Sequence, residues 1–468
     1  MTERNFSTEH FQNEFRRLLR IHQAGDLQNA ISSAKHLLGA YPDHPAIFHF
    51  LALVHHQKNE HAIAVGWMQK AIAVQPDNAE LHSNLSALHL AAGQSLEAVL
   101  AADKALQIQP NYPQALINLG NALAHCGETA RAAGVFWRAT QLSPNLGLAH
   151  LNLALAQRSL GQLDGAVHSF ERVITLQPEE PQALRNLAEI FAQRNRFADS
   201  AGIYQRLAGL FPNDPAVHNN LGAVLQQLGH FSQAEAAYNR AIHCDPRNVD
   251  AHRNLGTLLQ KQGKISEAID RYNIALQTGG AEDPQTLSLL GNAHRQLNQL
   301  ESAEAFLRRA LAVQPDDAQS HFRLAFVLLL NRQWSAGWNE YEWRLRLKAQ
   351  ATDPSLANIP TWTGESLTGK ILLVLAEQGF GDFLQFARFI STLVSNSSQL
   401  IVQCPPELRR LISTISGIQQ MIEEPAELVN PPNYQIHIMS LGAALKITED
   451  SIPKTSPYLF ADAADCET

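Results

Sequence analysis

Residues 113–146 read PQALINLGNALAHCGETARAAGVFWRATQLSPNL, and this stretch decides the fold. Its landmarks are Leu119, Gly120, Ala132, Phe136, Ala139 and Pro144. The Leu-Gly pair and the alanines let two antiparallel helices approach closely. The aromatic fills the gap between one helix pair and the next. Proline follows the second helix, where a residue that cannot continue a helix belongs.

Working outward, the same landmarks recur in fixed register. Ala79–Tyr112 carries Leu85, Ala98, Ala105 and Pro110, and Pro215–Asn248 carries Leu221, Gly222, Ala234, Tyr238, Ala241 and Pro246. Prolines stand at Pro42, Pro76, Pro110, Pro144, Pro178, Pro212 and Pro246, each 34 residues after the last. One extra residue follows Gly280, and Pro315 resumes the phase. A period of 34 is that of the tetratricopeptide repeat. The chain resembles that family over some two-thirds of its length, with nine units from Phe11 to Asp317 and a degenerate tenth from Ala318. The resemblance predicts a mainly α fold: an N-terminal tail over 1–10, then a right-handed superhelical solenoid over 11–348. The first unit is atypical, with Leu18 and Ile21 where Gly and Tyr are usual, as end units of such arrays are.

Composition limits the partners. The chain has 468 residues, 45% hydrophobic and 17% charged, with a formal net charge of −8. Neither that charge nor any Lys/Arg run suggests nucleic acid. Cys126, Cys244, Cys404 and Cys466 are too dispersed for a zinc knuckle or a disulfide framework, which points to a reducing, cytoplasmic setting. Met1–Arg20 is polar and lacks the apolar stretch of a signal peptide, and no apolar run is long enough to span a membrane.

A second series has the same period. Asn84, Asn118, Asn152, Asn186, Asn220 and Asn254 each stand before the Leu of the Leu-Gly slot, in the first helix of a unit. First helices line the concave side of such a superhelix. An amide donates twice and accepts at one oxygen, so a row of them can satisfy the backbone of an extended peptide whatever its side chains. Alternatively, the amides tie neighbouring repeats together, or are inherited by duplication. The row resembles the asparagine ladder in the arm of the protein O-GlcNAc transferases, which implies a protein substrate held in extended form. Leu289 and Arg323 break the series. A third row, His82, His150, His218, His252 and His321, mimics a metal series. One imidazole per repeat cannot converge on one ion, because packed helices are about 8–10 Å apart and Zn–N bonds about 2 Å. These histidines are predicted to fill the aromatic slot; no metal or cofactor is expected.

The period fades after Leu330, where Trp334, Trp338, Tyr341, Glu342, Trp343 and Arg344 make an aromatic helix, predicted to cap the solenoid. A linker over 349–369 follows. From Lys370 the pattern becomes strand, turn, helix: strands over 371–376, 400–404, 418–422 and 434–439, helices over 383–394 and 407–414. Such alternation predicts a parallel sheet. Its ligand-binding place would be the turn after the first strand, Glu377, Gln378, Gly379, Phe380, Gly381 and Asp382.

Tyr341-Glu342-Trp343-Arg344, Pro360, Trp362, Gly364, the turn with Phe386-Ala387-Arg388, Met439-Ser440-Leu441 and Pro457-Tyr458-Leu459 together resemble a bacterial family. In it, tetratricopeptide repeats are joined to a glycosyltransferase-like domain of two Rossmann-type halves; the turn itself is similar to that of heptosyltransferases. The resemblance implies that Asp382 is the general base for a sugar acceptor, with Glu377, Gln378, Gly379 and Gly381 forming the acceptor turn. Asp382 as a helix N-cap is the competing reading. His437 is a further candidate near a strand end, against a packed strand histidine, and Arg388 is expected to pair locally. Residues 370–468 amount to the first Rossmann half, so the part that would bind the nucleotide sugar is expected to be missing or supplied by another chain. The sequence therefore predicts a protein- or peptide-binding scaffold related to glycosyltransferases; the alternative is a glycosyltransferase completed by a second chain.

Overall fold

The computed structural model describes residues 2–347, 354–377, 379–394, 399–453 and 458–459. It divides into two compact units, Met1–Gly229 and His230–Thr468.

In both units helices alternate in antiparallel pairs, the solenoid pattern expected from the repeat. The quoted stretch forms the pair Pro113–His125 and Thr129–Leu142. Proline at the first helical position suits a first turn whose N–H groups have no intrahelical partner; Pro113, Pro181, Pro215 and Pro284 all stand there. Asn78, Asp214, Asn248, Asp283 and Asp317 cap first helices by accepting backbone N–H bonds. Within each pair the chain turns through one left-handed residue. Gly25, Asn59, Gly93, Gly127, Gly161, Asn195, Gly229, Gly263, Asn298 and Arg332 occupy this position, with φ from +57° to +81°. Glycine and asparagine tolerate that region best.

The Leu-Gly slot works by contact. A Cβ on Gly256 would lie 2.6 Å from the Tyr272 ring, and one on Gly120 would enter the Phe136 ring. Phe136, Tyr238 and Tyr272 are buried between helices. Within each unit, first helices of successive repeats touch one another, as Ala79–Ala91 touches Pro113–His125 and Pro284–Gln296 touches Ala318–Leu330. They therefore form the inner face.

The C-terminal region of the second unit holds four parallel strands in the order β3-β2-β1-β4: β1 (Ile371–Leu375), β2 (Gln399–Gln403), β3 (Gln420–Ile422) and β4 (Tyr434–His437). Leu372 pairs with Leu400 on one side and Tyr434 on the other. The single helix expected over 383–394 starts earlier and breaks, giving Phe380–Ala387 and Ile390–Val394.

Three expectations need correction. The helix Thr2–Gln23 runs through the stretch expected as a tail. The described part of the expected linker, 354–369, is packed structure. Thr361 bridges Gln435, the Trp362 N–H donates to the Gln435 carbonyl (2.8 Å), and the Gln435 N–H donates to the Pro360 carbonyl (3.0 Å), so this segment lies along the outer edge of β4. Trp362 and Leu367 are buried beneath it. The aromatic helix, Trp334–Tyr341, does more than close the repeats. Trp338 and Tyr341 share one core with Leu372, Val374, Phe386, Ile390 and Ile436. The Trp338 indole donates to the Ile447 carbonyl (2.8 Å). Pro, Gly, Ser and Thr crowd this stretch, and its two apolar anchors are too sparse to show periodicity.

Candidate functional site

Glycine at 379 shapes the turn after β1. Its φ is +110°, and it caps the helix Phe380–Ala387. Asp382 is therefore in the first turn of that helix and is not its N-cap. Its carboxylate is exposed and has no hydrogen-bond or ion-pair partner among the described residues. Its positive φ favours glycine there; a Cβ would come within 3.2 Å of the Asp382 Oδ2, the tip of an exposed side chain that can move aside. Gly381 is exposed beside it. Gln378 lies outside the described residues.

Glu377 points inward. Arg344 reaches it from the short helix Arg344–Leu347, donating Nε to Oε2 (3.1 Å) and Nη2 to Oε1 (2.7 Å). The same guanidinium bonds Glu342 Oε1 (2.9 Å) and Ser440 Oγ (2.9 Å), and Ser440 donates to Glu342 Oε2 (2.8 Å). Glu377 Oε1 also accepts the Met439 N–H (3.2 Å). Burial alone would lower the Arg344 pKa, but its bonds to Glu377 and Glu342 raise it above the ordinary value. Burial pushes the Tyr341 hydroxyl up to about 12, and neighbouring carboxylates, Asp382 included, add to this against Arg344. His437 faces the cluster from the end of β4; burial lowers its pKa, and its Nδ1 has no hydrogen-bond partner among the described residues. Arg388 lies over the Tyr458 ring at 4.7 Å.

Strand order reverses at β1, with β2 and β3 on one side and β4 on the other. The turns after β1 and β4 flank the crevice at this reversal, where open parallel sheets bind ligands. Asp382 and the Arg344 cluster lie at its rim. The sequence singled out Asp382 and Glu377 together; the structure separates them into an open carboxylate and a committed one. The link from Arg344 to Glu377 and Ser440 had no sequence signal, because it joins three segments with no shared period.

The asparagine row is largely engaged between repeats. Asn84 contacts His49 Nε2 (2.9 Å). Asn118 is buried and donates to the Ser83 carbonyl (2.9 Å) and hydroxyl (3.0 Å). Asn152 donates to Asn121 Oδ1 (3.0 Å), and Asn186 accepts from Arg158, which also pairs with Glu189 (2.7 Å). Asn220 contacts the Tyr204 hydroxyl of the preceding repeat (3.4 Å), and Asn254, in the second unit, is half-buried. Arg323, in the same slot, donates to Ser288 (2.7 Å). The signal was available: Ser83 precedes Asn118, and Ser288 precedes Arg323, by 35 residues. The histidine row has a structural task. His82, His150, His218, His252 and His321 each bond, through Nε2, the carbonyl of the proline six residues upstream, at 2.7–3.1 Å.

With both regions built, comparison with known proteins bears on the repeats. Tetratricopeptide-repeat models match residues 23–79 and 284–327. This is a tetratricopeptide-repeat protein. Between those segments, the model of the cilia and flagella-associated protein 70 C-terminal domain matches residues 52–283. These models end at residue 327, before the sheet. A curated relative, protein FlbA of Caulobacter vibrioides, is 33% identical over 107 residues, 22% of this chain. The chain spans only 18% of that relative's length. Similar solved structures include MamA (20% identity, TM-score 0.32, 34% of this chain and 94% of that one). Others are Pseudomonas aeruginosa PilF (18%, 0.38, 44% and 94%) and the Cut9–Hcn1 assembly (15%, 0.41, 75% and 83%). Among the described residues no helix is long and apolar enough to cross a membrane.

Proposed function

We propose that this tetratricopeptide-repeat protein is a scaffold that holds an extended segment of a partner protein along the faces of its first helices. The repeats carry this reading: within each unit the stacked first helices offer an extended surface, the established use of such arrays. Since Asn84, Asn118, Asn152 and Asn186 hold neighbouring repeats, the amides present a bonded floor, and contact with the segment falls to the side chains around them. The test compares photo-cross-linking residues at Ala87, exposed on a first helix, and at Leu100, exposed on the second helix of the same repeat. A randomised peptide library should form adducts from position 87. Equal yields from both positions would sink the reading.

The exposed carboxylate of Asp382 favours a second reading, in which the sheet is related to glycosyltransferases. A parallel sheet in the order 3-2-1-4, with a glycine turn at its strand reversal, supports a Rossmann-type relationship. Asp382 would take the proton of an acceptor hydroxyl as its oxygen bonds the sugar carbon and the nucleoside diphosphate leaves with the bonding pair. The leaving charge needs cationic or donor groups, and Arg344 is already committed to Glu377 and Glu342. Transfer therefore calls for a second chain or segment carrying the donor site. This chain alone should show no thermal shift with nucleotide sugars; saturable binding by the chain alone would overturn that division of labour.

A further inference from the structure

The asparagine slot ends in a different chemistry. Arg323 occupies it in the last repeat, and Arg295 lies on the first helix of the repeat before. Other arginines nearby are paired: Arg253 with Asp250 and Asp283, Arg308 with Glu304, Arg309 with Glu282. Arg295 and Arg323 have no carboxylate within ion-pair distance among the described residues. Arg323 has only the Ser288 hydroxyl (2.7 Å), and Arg295 donates Nε and Nη2 to Asn292 Oδ1 (3.3 and 3.0 Å), leaving Nη1 open. Burial foremost lowers the Arg323 pKa; Asp317 opposes this, while Arg295 adds to it, so the two cations are near enough to repel. The Asp317 carboxylate is engaged in capping the helix Ala318–Leu330.

Phe326, one turn beyond Arg323, is 37% exposed, with the Arg295 guanidinium 5.7 Å from its ring. Its ring meets Tyr341 edge-on at 6.0 Å, beside Arg344. The patch thus combines two guanidinium groups outside any ion pair among the described residues with a partly exposed aromatic ring.

We propose that this face of the last two repeats binds an acidic segment of a partner protein, its carboxylates on Arg295 and Arg323 and an apolar side chain on Phe326. The proposal rests on the scaffold reading and narrows it to a partner of stated charge. Carboxylates would supply the planar, paired acceptors that a guanidinium fork fits. A net charge of −8 repels acidic peptides from the chain as a whole, so their binding reports a local site.

The test uses the full chain and fluorescein-labelled decapeptides in anisotropy titrations. One peptide alternates glutamate with glycine around a central leucine; the others replace glutamate by glutamine or by lysine. The acidic peptide should bind more tightly than both controls, and its affinity should fall with salt. Arg295→Gln and Arg323→Gln should each weaken it by about tenfold, and Phe326→Ala should weaken it at any salt. Arg295 hydrogen-bonds only within its own helix, so its variant keeps the test valid if Arg323→Gln fails to fold. No preference for the acidic peptide overturns the proposal, as does acidic binding that Arg295→Gln leaves unchanged. Cross-linking at Ala87 in the other unit reports the scaffold reading separately, so failure here alone leaves peptide capture standing and removes only its acidic specificity.

Discussion

Replacing Arg344 by Met tests whether the last repeat holds the turn of the candidate site. The side chains of Arg344 and Glu377 are only 7% and 8% exposed. The substitution removes both bonds to Glu377, leaves that carboxylate with the Met439 N–H, and frees Ser440 from one partner. Removing one member of a buried pair costs about 3–5 kcal/mol, mostly because the other charge is stranded. Global unfolding would blur this, since a repeat array need not melt as one unit. Hydrogen exchange in the intact chain is the better assay, read on peptides covering 371–377 and 434–441. A local loss of about 3 kcal/mol accelerates exchange by roughly a hundredfold. The paired substitution Arg344→Met with Glu377→Leu should cost well under the sum of the single changes, because no charge is left buried. Exchange within twofold of the unmodified chain would refute the reasoning, showing that the ion pair does not hold the turn.

Three further outcomes are expected. Gly256→Ala should destabilise by about 1–3 kcal/mol through overpacking against Tyr272, whereas Gly202→Ala, with open space at its Cβ, should stabilise by about 0.5–1 kcal/mol; thermal melts that rank the two equally would contradict the packing account. A fragment starting at Lys370 should self-associate on size-exclusion chromatography, since it loses Trp338, Tyr341, Trp362 and Leu367 from its core, while one starting at Pro284 regains those four, keeps Leu324, Val327 and Leu328 against Leu307, and should self-associate less. Burial lowers the pKa of His44, His49, His56, His150, His252 and His437. The unfolded chain then binds more protons below the ordinary value of 6.5, so the melting temperature should fall from pH 7 to pH 5.5; a rise would reverse the sign of this linkage.

The repeats were legible because one register fixes many residues at once. Gly120, Phe136 and Pro144 repeat together, and each has a steric reason. The left-handed turn series was equally periodic but mixes Gly, Asn and Arg, and the common factor is φ, which residue type only hints at. The strands were legible as apolar runs, to within a few residues. What the sequence hid were contacts between elements with no period in common: Arg344 to Glu377, Trp338 to Ile447, Pro360–Trp362 along β4. The asparagine row shows a subtler limit. Its spacing was plain, but whether an amide faces a ligand or a neighbouring repeat depends on which polar side chain that repeat offers: His49 and Ser83 hold Asn84 and Asn118, whereas Asn121 and Arg158, at other spacings, hold Asn152 and Asn186.

The shared core around Trp338 also bears on how such a gene can change length. A whole proline-to-proline interval can be gained or lost among equivalent repeats, because each new junction recreates the old one. The last helix pair is not equivalent: its tryptophan binds the Ile447 carbonyl and fills the space left by Gly442. Duplication or deletion of a repeat should therefore be cheaper upstream of Ala318 than beyond it, where the last helix pair and the sheet share one core.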